Sequence, residues 1–192
     1  MNIPALRSAE LAMVIAVVVI VVVGIAAVLL TRKRRTEKLR SKFGRAEYAR
    51  AVKEGGNRRN AEAGLKKRTE RVEGFHVRLL APVDRARFVE SWRRIQARFV
   101  DGPAGAVTEA DQLLGDVMST RGYRVSDFEQ RAADISVDHP LVMDNYRAAH
   151  EIALRQTKGQ ADTEELRQAM IHYRTLFEEL VSEPEVLRTK AS

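Results

Sequence analysis

The chain of 192 residues contains no cysteine. That excludes a disulfide framework, a thiolate metal site and a cysteine nucleophile, and it removes any need for an oxidising compartment. Aromatic residues make up only 6% of the chain, with a single tryptophan. They are not interleaved with basic residues as a base-stacking platform requires, and neither a zinc spacing nor an RNP-like stretch is present, so nucleic acid is not an expected partner. Strand-length alternation of apolar and polar residues is missing apart from the brief stretch 77–80, which leaves an all-α fold. No glycine-rich loop follows a strand and no serine sits in a nucleophile elbow, so no enzyme activity is expected. No repeat of solenoid period occurs.

What the sequence does have is one long apolar run. Residues 11–30 (LAMVIAVVVIVVVGIAAVLL) carry no charge, and as a helix these twenty residues extend roughly 30 Å, the thickness of a bilayer hydrocarbon core. A cleaved signal peptide would have a shorter apolar region, basic residues before it and a small-x-small site after it. Here the one such match, Gly24-Ile25-Ala26, lies inside the run, and the basic cluster follows it. The expectation is a retained transmembrane helix.

Charge asymmetry sets its direction. Arg7 and Glu10 cancel within residues 1–10, whereas Arg32, Lys33, Arg34, Arg35, Lys38, Arg40 and Lys42 stand against Glu37 alone, a net of +6. The Lys/Arg-rich side stays inside. This places residues 1–10 outside and the remainder after the span in the cytoplasm, and the seven cations beside the headgroups are expected to contact anionic lipid, at about 1 kcal/mol each. The whole chain carries +7, but residues 43–80 hold +5 and residues 81–192 hold −4. Basicity is therefore concentrated next to the span.

Residues 31–80 read as a charged helical stalk. Leu39, Phe43, Tyr48 and Val52 are sparse among charges, and Gly55-Gly56 breaks the stretch before Asn57 caps a second charged helix. A helix polar on all sides suits a spacer or partner-binding arm. From residue 81 the periodicity sharpens. Pro82 starts a helix with Phe88, Trp92, Ile95 and Phe99 on one face, and Pro103 starts another with Val107, Ala110, Leu114 and Val117. Ser126 and Glu129 form a capping-box pattern for a short helix through Asp134. Asp138-His139-Pro140 opens a helix with Val142, Tyr146, Ala149 and Ala153 aligned. A last helix from near Asp162 aligns Leu166, Met170, Tyr173, Phe177 and Leu180. Four to five short one-faced helices over residues 81–181 predict a bundle, with a frayed tail over 182–192.

Several of these segments are familiar as a set. Gln96-Ala97-Arg98-Phe99-Val100-Asp101, Arg121-Gly122-Tyr123, Asp127-Phe128-Glu129-Gln130-Arg131-Ala132-Ala133-Asp134, Ser136-Val137-Asp138-His139-Pro140, Tyr146-Arg147-Ala148-Ala149-His150 and Leu166-Arg167-Gln168-Ala169-Met170-Ile171-His172-Tyr173-Arg174, with Trp92 and Pro103, look like one set. The sequence resembles a bacterial family of small single-span membrane proteins with a helical cytoplasmic domain, over about residues 36–181. The resemblance implies bacterial origin and this architecture; the family carries no assigned activity, so no catalytic residue follows from it.

Two sets of side chains are candidates for chemistry. His139, His150 and His172 lie near Tyr146, Tyr173, Asp138 and Asp144 in sequence, and antiparallel packing of the last two helices would let His150 and His172 face each other as metal ligands. Neither His-x-x-x-His nor a matched Glu-x-x-His occurs, so these side chains are expected to satisfy buried polar groups, and no cofactor is assigned. Arg147 and Arg174 each follow a tyrosine and are candidates for recognising an acidic motif. The carboxylates Glu164 and Glu165 suit a helix start, while Asp134 and Asp138 are open between capping and acid–base roles. The leading expectation is a membrane-anchored interaction or scaffold module with a protein partner that the sequence does not name. The alternative is a tethered metal- or small-molecule-binding sensor or hydrolase.

Overall fold

The computed structural model describes residues 3–124 and 127–182; for helical residues 3–18, 32 and 35 it describes the backbone only. Among the described residues the chain forms seven α-helices, α1 (Ile3–Gly55), α2 (Arg58–Glu73), α3 (Pro82–Arg98), α4 (Pro103–Thr120), α5 (Phe128–Ile135), α6 (Met143–Thr157) and α7 (Thr163–Val181), with a 3-10 turn at Pro140–Val142. No strand occurs among them. Residues 77–80, which carry the one brief alternation, are extended connection between α2 and α3. The chain divides into two compact units, residues 1–41 and residues 42–192.

The first unit is helical from residue 3 onward and includes the whole apolar run. Nine large aliphatic side chains within residues 19–30 are each more than half exposed. No helix among the described residues is long and apolar enough to cross a membrane. The described side chains supply twelve residues of the run, 19–30, before the charges begin, and those of residues 11–18 lie outside the description.

The second unit begins earlier than the periodicity implies. The expected boundary at residue 80, with a solvated stalk before it, gives way to one between residues 41 and 42. Gly44 adopts φ 72° and ψ 170°, breaking the regular helix inside α1. Beyond it, α1 and α2 form a hairpin closed by Gly56 at φ 71° and by Asn57, whose side chain accepts from the Asn60 amide at 2.9 Å. Phe43, Tyr48, Ala51, Ala61, Leu65 and Val72 are all buried. Half of that inner face is alanine or a polar-tipped tyrosine, which is why a count of large apolar residues reads as a stalk.

The remaining helices follow their sequence signals closely. α3 and α4 both carry proline in the first turn, and α7 begins with a capping box in which Asp162 accepts from the Glu165 amide and Glu165 returns the bond to the Asp162 amide. Two starts shift. Asp127 caps α5 by accepting from the Gln130 amide, and Ser126 lies outside the described residues. α6 begins at Met143, after a 3-10 turn over Pro140–Val142.

α7 packs against α4 and α6, and α3 covers α4 and α7. Trp92 of α3 stacks on Phe177 of α7 with centroids 4.8 Å apart and planes at 13°. The Arg121 guanidinium donates to the Leu180 carbonyl at 3.0 Å, which brings the C-terminal ends of α4 and α7 together. The frayed tail was expected over 182–192; residues 183–192 lie outside the description, which ends at Ser182.

Candidate functional site

Lys33, Arg34, Lys38, Arg40 and Lys42 are exposed along α1, while the side chains of Arg32 and Arg35 lie outside the description. A row of exposed cations on a helix continuing from an apolar run is suited to a phosphate-bearing surface.

Arg147 is not where a recognition residue needs to be. It is buried, and its Nη1 donates to Glu47 Oε2 at 2.6 Å while Nη2 donates to Oε1 at 3.3 Å. Arg68 adds a third bond to Glu47 Oε1 at 2.9 Å. A forked guanidinium–carboxylate pair of this kind pairs both charges and engages both Nη atoms of Arg147, while its Nε is buried with no hydrogen-bond partner within the protein. Arg147 is thus an internal tie to Glu47 rather than an exposed side chain. Arg174 is exposed and donates to Glu178 one turn ahead at 2.6 Å, a surface pair that competes weakly with any other anion.

The histidines are also dispersed. His172 Nδ1 lies 2.9 Å from Asn145 Oδ1, so the face of α6 toward His172 is that of Asn145. His150 lies five residues further on, about 140° around the helix, and stacks flat on Phe128 with centroids 3.5 Å apart. The two imidazoles therefore address different neighbours. Among the described residues no group of three or more metal-ligating side chains converges. His139 approaches Glu179 with Nδ1 at 2.9 Å and Arg121 with Nε2 at 3.5 Å. Arginine only donates, so that pairing suits the tautomer with the proton on Nδ1.

The open carboxylates resolve into structural roles. Asp134 is buried and receives Arg71 Nε at 2.8 Å and Gln130 Nε2 at 2.9 Å, with a further bond from Arg71 Nη2. It thereby ties α2 to α5. Asp138 accepts from the Tyr123 hydroxyl at 2.7 Å, and burial together with that carboxylate drives the Tyr123 phenol strongly upward. Glu164, exposed at the start of α7, is held down to about 2 by bonds from Arg167 and Gln168.

One polar cluster carries no motif in the sequence. Asp111 of α4, Arg131 of α5, Tyr146 of α6 and Tyr173 of α7 meet inside the bundle. Arg131 Nη2 approaches Asp111 Oδ2 at 3.5 Å, and the guanidinium carbon lies 5.8 Å from the Tyr146 ring centre. Neither the Tyr146 nor the Tyr173 hydroxyl makes a hydrogen bond of full geometry within the protein, but Arg131 lies close enough to act on Tyr146 and Asp111 on Tyr173. Burial raises both phenols, with Asp111 pushing the same way and Arg131 opposing it. The tyrosines were visible as apolar-face residues; their convergence with Asp111 and Arg131 requires four helices to be placed in space.

Outside this cluster, a groove of about 360 Å³ runs along the start of α5 and the middle of α6, floored by Phe128, His150 and Leu154. A wider cleft of about 450 Å³ between α2 and α5 is lined by Lys67, Arg68, Arg71 and Glu129. Arg68 and Arg71 are already engaged with Glu47 and Asp134. No family model matches the chain, and neither the curated proteins nor the solved structures contain a match to it.

Proposed function

We propose that this is a single-span protein of the bacterial inner membrane, anchored by residues 11–30 with residues 1–10 outside, whose folded part after residue 41 is a protein-interaction module at the cytoplasmic face. The observation that carries the reading is the continuous exposure of large aliphatic side chains along residues 19–30 of α1. A helix apolar on every side is stable where its surroundings are apolar too. Burying each such side chain is worth roughly 1.5–3 kcal/mol, so leaving nine of them in water opposes the hydrophobic effect. The exposed cations that follow, Lys33, Arg34, Lys38, Arg40 and Lys42, fit anionic headgroups and resist translocation.

Fractionation tests the anchor: the full chain is expected to stay in the membrane pellet after alkaline carbonate extraction, and a reporter fused after residue 182 to be active only in the cytoplasm. Recovery in the soluble fraction, or an outward reporter, sinks the reading. The lipid contact is tested separately, on vesicles with and without phosphatidylglycerol at varied salt. Replacing the seven basic residues of 32–42 with glutamine is expected to abolish the dependence on anionic lipid. An unchanged salt response removes the lipid role.

A further inference from the structure

The groove over α5 and α6 combines an apolar floor with two exposed carboxylates. Its floor is the flat stack of Phe128 on His150, 3.5 Å between centroids, continued one turn along α6 by Leu154, which is 48% exposed. Two arginines also border it: Arg147 is held by Glu47 at 2.6 Å in a buried pair, and Arg50 donates to Glu54 at 2.8 Å in an exposed one. Asp127 is committed to capping α5. What remains is Glu129 and Glu151, both exposed and neither in an ion pair among the described residues.

We infer that this groove docks a basic peptide segment, a long cationic side chain laying its aliphatic stem on the Phe128–His150 stack with its head at Glu129 and Glu151. The inference deepens the interaction-module reading and rests on it, by naming the surface and the chemistry of the partner. Lysine and arginine present an apolar stem and a charged tip, and a stem over an aromatic floor beside carboxylates satisfies both parts. An aliphatic residue next to the cation meets Leu154. Acidic segments and anionic lipid are repelled by the two carboxylates.

The groups facing His150 agree with this charge sign. Burial against Phe128 pushes its imidazole below the ordinary histidine value, Asp111, Glu129 and Glu151 pull it up, and Arg131 pushes it down, with burial the strongest. The ring is therefore neutral at pH 7 and adds no positive charge to the floor.

The test uses the full chain in nanodiscs of zwitterionic phosphatidylcholine, which removes any contribution from anionic lipid. The probe is the capped peptide Lys-Lys-Leu-Lys-Lys, with Glu-Glu-Leu-Glu-Glu as its charge-reversed control. The lysine peptide is expected to give saturable NMR shifts at His150 and Leu154, weakened at least tenfold in the doubly substituted Glu129→Lys/Glu151→Lys chain. Both carboxylates are exposed, so the fold tolerates their loss; the Glu129→Gln/Glu151→Gln chain gives the same comparison should charge reversal lower the melting temperature. Equal binding of the two peptides, shifts elsewhere on the bundle, or unchanged affinity in both variants overturns the inference. A chain that fails to enter the discs counts against the membrane anchor alone, since the same titration then runs in free solution.

Discussion

Glu47 and Arg147 stand 100 residues apart in the chain and meet in a two-pronged ion pair inside the fold. Glu47 is inconspicuous in a charged helix, and Arg147, which stands out after a tyrosine, gives no sign of its partner in the sequence. Their pairing fixes the hairpin of α1 and α2 onto α6, and Arg68 closes the arrangement from the hairpin side. The desolvation cost of burying Glu47 and Arg147 is offset only while their mutual bonds are made.

Removing the carboxylate should therefore be severe. Glu47→Ala leaves Arg147 buried without a counter-charge and is expected to destabilise the fold by about 3–5 kcal/mol, read as a lower urea midpoint. Arg174→Ala, which breaks only an exposed pair with Glu178, is expected to cost at most about 0.5 kcal/mol. Similar losses in the two variants would show that the Glu47 network contributes no more than a surface contact.

The part of the fold that the sequence reveals is the part whose burial is carried by large side chains at helical spacing. Trp92, Leu114, Tyr173 and Phe177 mark α3, α4 and α7, and the proline and capping signals locate those helices closely. The α1–α2 hairpin escapes because its inner face uses Ala51 and Ala61 beside Leu65, and alanine does not distinguish inside from outside. Pairings across the fold are beyond local pattern altogether. Arg147 and His150 are in the right segments for a site, yet the partners that define them, Glu47 and Phe128, depend on how distant helices pack.

Glycine positions separate strain from convenience. Gly122 has φ 96°, and a Cβ there would press into the His76 carbonyl oxygen. Gly122→Ala combines a left-handed backbone, costing roughly 1–2 kcal/mol by itself, with that clash, so a loss above about 2 kcal/mol is expected. Gly105 lies in α4 with nothing near the added carbon. Gly105→Ala is expected to stabilise by about 0.5–1 kcal/mol. Thermal melts of the two variants should move in opposite directions.

His150 gives the fold a pH dependence of definite sign. Its folded-state imidazole is pushed below the ordinary value of 6.5 by burial on Phe128, so below pH 6.5 the unfolded chain takes up the proton first. The stability this site supplies is complete above that pH and is lost as pH falls through the depressed folded value. Melting temperature should drop between pH 7 and pH 5.5, and His150→Phe, which keeps a ring over Phe128, should shrink the drop. An equal drop in the variant would assign it to other groups.

Tyr146 and Tyr173 present the opposite case to Glu47: buried residues whose hydroxyls make no hydrogen bond of full geometry within the protein, with Arg131 and Asp111 only close by. A buried polar group that makes no bond keeps its desolvation cost without return. Replacing either tyrosine by phenylalanine preserves the ring packing, including the 6.2 Å centroid approach between them, and removes only the hydroxyl. Both Tyr146→Phe and Tyr173→Phe are accordingly expected to be neutral or to stabilise by up to about 1 kcal/mol, whereas Tyr123→Phe, which strips Asp138 of its 2.7 Å donor, should destabilise by about 1–2 kcal/mol. Urea midpoints of the three variants order these outcomes. A loss above 1 kcal/mol for Tyr173→Phe would mean that its hydroxyl is bonded in solution, with Asp111 the nearest acceptor to draw it in, and would turn the cluster of Asp111, Arg131 and the two tyrosines from a tolerated cost into a constraint on how α4 to α7 pack.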